Sequence, residues 1–114
     1  MANKTVPFEL VDGTKIPLRH ELFIYDAVIL QNTTGCVSVK STKESRYVTM
    51  HFEEYPFIGF WQIQKPETPY ICLEPWSALP GAEGKIVELE TKPYMYRVPV
   101  GEKKNISFSL EIHE

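Results

Sequence analysis

Near the end of the sequence, apolar Ile106, Phe108, Leu110 and Ile112 alternate with polar Ser107, Ser109 and Glu111. A repeat of two sends successive side chains to opposite faces of an extended backbone, so this segment is predicted to be a half-buried β-strand. The same alternation sets Val48, Met50 and Phe52 against Thr49, His51 and Glu53, and Val37 and Val39 against Ser38 and Lys40. Runs rich in β-branched and aromatic residues at 26–31, 57–64, 70–74, 86–90 and 94–100 are further candidates, for about seven to nine strands in all. Turn signals separate them at Asp12-Gly13, from Asn32 to Gly35, from Pro80 to Gly84 and from Gly101 to Asn105, where residues tolerate a left-handed or proline-fixed backbone. Pro66, Pro69, Pro75 and Pro80 are read as marking strand ends. Leu18, Leu22 and Tyr25 share a helical spacing, but over a stretch too short for more than a turn or two. Many short strands without alternating helices predict an all-β fold, an antiparallel β-sandwich or part of one.

A chain of 114 residues fits a single domain spanning 1–114. Its two Trp, six Tyr and six Phe are enough to build one core. The formal charge is −3 and the lysines are scattered, which excludes the concentrated basic surface of a nucleic-acid binder. The longest apolar runs fall far short of the roughly 20 residues that cross a bilayer, so no membrane association is expected. The first residues lack the apolar stretch of a secretory signal, and a cytoplasmic location is expected. Cys36 and Cys72 stand apart, without Cys-x-x-Cys spacing or a paired histidine, so they are expected to be reduced core cysteines with no zinc site and no cofactor.

Familiar chemical motifs are missing. Gly101-Glu102-Lys103-Lys104 lacks the second glycine and the Ser/Thr of a phosphate loop and reads as a hairpin turn. His20, His51 and His113 have no metal-like spacing, and no serine sits in a nucleophile elbow. The unusual segment is Tyr70-Ile71-Cys72-Leu73-Glu74-Pro75-Trp76, continuing to Gly84. Here an apolar run expected to be a central, buried strand ends in a carboxylate followed at once by proline and tryptophan. Glu74 is then either a rim charge or a group in a partly desolvated pocket, where its reactivity can be tuned. Trp61 closes a second apolar run, Phe57-Ile58-Gly59-Phe60-Trp61. Aromatic faces beside a carboxylate suit carbohydrate, because sugar C–H faces pack on rings while hydroxyls bond to charged acceptors. Trp61 and Trp76 are therefore candidate sugar platforms, with core packing the alternative for each.

The segment 70–84 resembles the motif of the aldose 1-epimerase (galactose mutarotase-like) superfamily, in which a strand of pattern aliphatic-Cys-Leu-Glu is followed by a proline-containing turn. Glu74-Pro75-Trp76, the Phe57 to Trp61 run and Pro99-Val100-Gly101-Glu102 are similar to the branch of that superfamily found with lactose operons, the LacX branch. Leu18-Arg19-His20-Glu21-Leu22-Phe23 and Asp26-Ala27-Val28-Ile29-Leu30 resemble the same branch. The resemblance covers only the C-terminal portion of such proteins. It implies part of a galactose mutarotase-like supersandwich, with Glu74 as the catalytic base and Asp26 as a residue binding a sugar hydroxyl. The acid histidine belongs to a region that this sequence does not match, and none of its three histidines inherits that role. The implied reaction is interconversion of the α and β anomers of a monosaccharide, an aldohexose or related sugar, in a full-length parent, with the fragment itself a poor enzyme. A carbohydrate-binding module without turnover and a truncated fragment that self-associates are the alternatives. Cutting a sandwich bares sheet edges, so a homodimer through those edges is expected.

Overall fold

The alternation becomes two antiparallel sheets in the computed structural model, which describes residues 4–65, 67–82 and 84–114. The strands are β1 (Val28–Gln31), β2 (Cys36–Lys40), β3 (Tyr47–His51), β4 (Phe57–Trp61), β5 (Cys72–Trp76) and β6 (Ser109–His113). One sheet has the order β1-β4-β5 and the other β2-β3-β6. The fold is an all-β antiparallel sandwich, and no α-helix occurs among the described residues. Among the described residues no helix is long and apolar enough to cross a membrane.

The core lies where the strand faces predict it, except that the apolar side of β6 stays outside it: Phe108, Leu110 and Ile112, expected to be on the buried side of their strand, are 50%, 55% and 75% exposed. Ile58 and Phe60 of β4 point to the same side, flanked by Val28 and Leu30 of β1 and Leu73 of β5, and they pack into one cluster with Met50 of β3 and Val37 of β2. Phe23 and Phe52 complete the cluster from outside the strands. Phe52 is 1% exposed and sits on the short link between β3 and β4, the central strands of the two sheets. Its N–H donates to the Gly35 carbonyl at 2.7 Å, and its own carbonyl accepts from Tyr55 N–H at 2.9 Å. Burying a phenylalanine of this kind stabilises the fold by about 1.5–3 kcal/mol. The turns use left-handed residues as the sequence predicts, with φ of 53° at Asp12, 69° at Gly13, 58° at Asn32 and 76° at Gly35. The short helical spacing becomes a 3-10 turn at His20–Phe23 whose buried face is Phe23.

Several expectations are corrected. The runs 86–90 and 94–100 are not strands: Leu89–Thr91 is a 3-10 turn, and Ile86 and Val100 are fully exposed. Pro93 and Pro99 lack the N–H a ladder needs, and Tyr94 adopts φ 66°, which breaks extended pairing. The strand expected at 70–74 runs instead over Cys72–Trp76 and lies at the edge of its sheet, not the centre. Pro75 is therefore inside a strand rather than at its end, a placement an edge tolerates because one side of it needs no donor. Cys36 is exposed and Cys72 partly buried, both free thiols, so Cys36 is not a core residue. The alternation of β2 sends Cys36, Ser38 and Lys40 to the outer face. Pro66, read as a turn marker, and Glu83, inside the 70–84 motif, lie outside the described residues.

Candidate functional site

The register of the first sheet decides which side chains meet on its outer face. Glu74 pairs with Gly59, Trp76 with Phe57 and Cys72 with Trp61, while Leu73 and Pro75 pair with Phe60 and Ile58 on the core side. The outer face therefore carries Glu74 between Cys72 and Trp76 on β5, with Phe57, Gly59 and Trp61 beside them on β4 and Ile29 beyond on β1. Glu74, Trp61 and Trp76 share this face, and each is half-buried. The Trp76 indole N–H donates to Glu74 Oε2 at 3.2 Å. That bond fixes one carboxylate oxygen and leaves Oε1 without a protein donor among the described residues.

Gly59 shapes the surroundings of the carboxylate. A Cβ there would lie 3.5 Å from Glu74 Cβ and 3.6 Å from the Trp76 ring, ordinary contact distances. Without that Cβ, Gly59 is itself buried, with Glu74 and the Trp76 ring packed close beside it. At the Phe57 end the face is covered: Phe57 is 2% exposed, and Tyr94 meets it edge-on with ring centroids 4.9 Å apart. The segment 94–100, which sequence patterning reads as strand, thus contributes one aromatic ring against Phe57.

Asp26 lies apart from this group. It is exposed, with φ 104°, two residues before β1, and its Oδ1 accepts the Ala27 N–H at 2.8 Å. Continuing the β1–β4 register places it beyond the row of Trp61, on the opposite flank of β4 from Glu74. No hydrogen bond joins it to Glu74, Trp61 or Trp76 among the described residues. The structure brings three of the four candidate residues onto one face and leaves Asp26 at the rim of the same sheet.

A second polar grouping escapes residue-by-residue reading of the sequence. On the outer face of the other sheet, Thr49 Oγ1 lies 2.7 Å from Ser38 Oγ and 3.1 Å from His113 Nε2. Glu111 reaches His51 Nε2 at 3.4 Å and His113 Nε2 at 3.6 Å, and Tyr47 stacks on His113 at 3.9 Å with Lys40 over its ring. These residues alternate along β2, β3 and β6 with the core positions, and that period was the available signal. They bond to one another, and no group of three or more His, Cys, Asp or Glu among the described residues is arranged to hold a metal ion.

Two hollows lie elsewhere. An open one of about 490 Å³ is lined by Ile63, Lys65, Thr68 and Tyr70 in the β4–β5 connection, which Gln62 ties together by donating to the carbonyls of Thr68 and Tyr70. A smaller one of about 110 Å³ lies among His51, Glu54, Ser107 and Phe108. Neither reaches Glu74, and the hydrogen bond and the shared face, rather than cavity size, single out the Glu74 surface. In the smaller hollow, the hydroxyl and the N–H of Ser107, each 2.8 Å from Glu54 Oε2, hold the Glu54 carboxyl below the usual carboxylate range, with Lys104 adding to the effect.

Comparison with known proteins adds one consistent relationship. The chain is 33% identical over 95 residues to the chromosomal protein LacX of Lactococcus lactis subsp. lactis. It is equally similar, over the same length, to the plasmid-borne protein LacX of that organism. The alignment covers 81% of this chain but 30% of each relative, so the chain spans about a third of the length of the curated relatives it matches. No family model matches the chain, and no solved structure matches it.

Proposed function

We propose that this chain is the carboxylate-bearing C-terminal portion of an aldose 1-epimerase-like, galactose mutarotase-like protein acting on an aldohexose or related sugar in the cytoplasm. The observation that carries this reading is the Glu74 carboxylate on one sheet face with Trp61 and Trp76, one oxygen held by the Trp76 N–H and the other open. The similarity to the LacX proteins and the resemblance of the 70–84 segment to the epimerase motif support it.

In this reading Glu74 Oε1 removes the proton from the anomeric hydroxyl while an acid protonates the ring oxygen and the ring C–O bond breaks. Rotation about the bond beside the new aldehyde and reclosure on its other face give the opposite anomer. Trp61 and Trp76 pack against the sugar's C–H faces, and Asp26 takes a hydroxyl at the rim. The acid is a histidine outside this chain: among the described residues His51 and His113 lie on the other sheet and His20 on the 3-10 turn, none on the Glu74 face. Without it, general-acid catalysis worth roughly two to four orders of magnitude is lost. That placement favours, for the isolated chain, a second reading in which the face binds sugar without turning it over.

A sugar titration followed on the two indole N–H resonances, beside polarimetry on α-glucose and α-galactose, tests both readings. Shifts at Trp61 and Trp76 that disappear in Glu74→Gln are expected, with little acceleration of anomer exchange by the chain alone. Indole signals indifferent to sugar up to its solubility limit would refute sugar recognition at this face.

A further inference from the structure

Two sheets of three strands expose four edges, and three of them carry devices that discourage pairing with another chain. β1 is four residues long and is bracketed by Asp26 at φ 104° and Asn32 at φ 58°. β2 ends in Lys40 and runs into Lys43, Glu44 and Arg46. β5 contains Pro75. β6, Ser-Leu-Glu-Ile-His, has no proline, glycine or lysine. Among the described residues no backbone hydrogen bond joins it to any segment except β3.

Its side chains point the same way. Leu110 pairs with Met50 and Ile112 with Val48, so both lie on the core-facing side of their sheet, yet Leu110 is 55% and Ile112 75% exposed. Phe108, the preceding residue on that side, is 50% exposed. The single acidic side chain of the strand, Glu111, is turned onto its own sheet between His51 and His113. The free edge is therefore an apolar row beside unpaired backbone.

We propose that β6 pairs antiparallel with β6 of a second copy of this chain, about a two-fold axis at Leu110. The alternation is self-complementary in that register: Leu110 faces its own counterpart, Phe108 faces Ile112, and Glu111 faces Ser109. Moving the axis to Glu111 opposes two carboxylates, and moving it to Ile112 sets Leu110 against Glu114, both unfavourable cross-strand pairs. Moving it to Ser109 pairs the strand with residues 105–109, where Ser107 is already tied by its N–H to Glu54. The product is a continuous six-stranded sheet with the three apolar side chains of each copy covering one another, independent of any sugar chemistry at Glu74.

Light scattering on the full chain at micromolar concentration tests this. The mass is expected to be twice the 13.2 kDa of the chain, and to halve in Ile112→Lys, whose side chain is mostly in solvent in the single copy. Leu110→Cys, in a chain with Cys36 and Cys72 both changed to Ser, is expected to form a covalent dimer under mild oxidation because the axis brings the two thiols together. If Ile112→Lys fails to fold, this cross-link decides the matter. A monomeric wild-type chain, a dimer that Ile112→Lys leaves intact, or a Leu110→Cys chain that does not cross-link would each overturn the proposal.

Discussion

The same substitution, glycine to alanine, is expected to have opposite signs at two positions. At Gly59 the backbone is ordinary strand, and an added Cβ would find its nearest neighbours at 3.5 to 3.6 Å, normal van der Waals separations. Alanine there lowers the entropy of the unfolded chain and adds packing, so Gly59→Ala should stabilise the fold by about 0.5–1 kcal/mol. Gly35 differs in both respects. Its φ is 76°, and a Cβ would sit 2.9 Å from Glu53 Cγ and 3.0 Å from Glu53 Cα. The Cγ is the flexible part of a side chain, but the Cα is backbone and adjoins Phe52, whose N–H is bonded to the Gly35 carbonyl. The left-handed conformation alone costs about 1–2 kcal/mol for alanine, and displacing Glu53 adds to it. With a urea m-value of about 1.5 kcal/mol/M, the midpoint should rise by about 0.5 M for Gly59→Ala and fall by about 1 M or more for Gly35→Ala. Urea unfolding followed by tryptophan fluorescence, at one fixed protein concentration so that association does not shift the baseline, measures both. Equal shifts, or a Gly35→Ala chain as stable as wild type, would refute the assignment of these two turn and strand conformations.

Other substitutions probe the core, the site and the link between β3 and β4. Phe52→Ala should cost about 3–5 kcal/mol, because the residue joins both sheets and is almost fully buried; a loss under about 1 kcal/mol in the same urea assay would count against a shared core. Glu74→Gln should change stability by less than about 0.5 kcal/mol, since the amide keeps the shape and still accepts the Trp76 N–H, while anomer exchange measured by polarimetry in a full-length relative carrying the equivalent change should vanish. Retained exchange would place the base elsewhere. Glu54, held below the ordinary carboxylate range by Ser107, contributes stability that is present above its unfolded pKa and is lost as pH falls through the depressed folded value. The difference between wild type and Glu54→Gln should therefore be present near neutral pH and disappear in strong acid; a difference independent of pH would contradict the Ser107 bonds.

The strands β2, β3 and β6 are legible in the sequence because each alternates an apolar side turned toward the core with a polar outer side, a period of two that persists even in β6, whose apolar side is left largely open to solvent. The run Phe57 to Trp61 is legible for another reason: its outer face is covered by Tyr94 and Trp76, so the strand is apolar on both sides. The same packing accounts for the strand-like composition of 94–100. Tyr94 and its neighbours carry strand-like residue types, but two prolines and a left-handed tyrosine use them as a packed loop, and residue type alone does not distinguish the two. The position of β5 at an edge is equally hidden, since pairing partners are decided by segments far apart in the chain. At the site, the proximity of Glu74 and Trp76 follows from their spacing of two on one strand. The contribution of Trp61 required the register, and the separation of Asp26 required its unusual φ. The row Ser38, Thr49, Glu111 and His113 was invisible because its members come from three strands that the sequence does not align.

The order of strands also governs how the chain assembles. β2 and β3 close over the short turn 41–46, and β4 and β5 over 62–71, so both hairpins form from local contacts at small entropic cost. β6 has to return to β3 across everything from residue 52 to residue 108, the longest closure in the fold. Non-local pairing of this kind is slow and late. In a refolding experiment read by pulsed hydrogen exchange, amides of β3 and β4 should gain protection first and those of β6 last. Destabilising changes in β6 should then speed unfolding while leaving the folding rate nearly untouched. Until that last step the second sheet is only a hairpin, and the half of the core holding Met50 lacks its third strand.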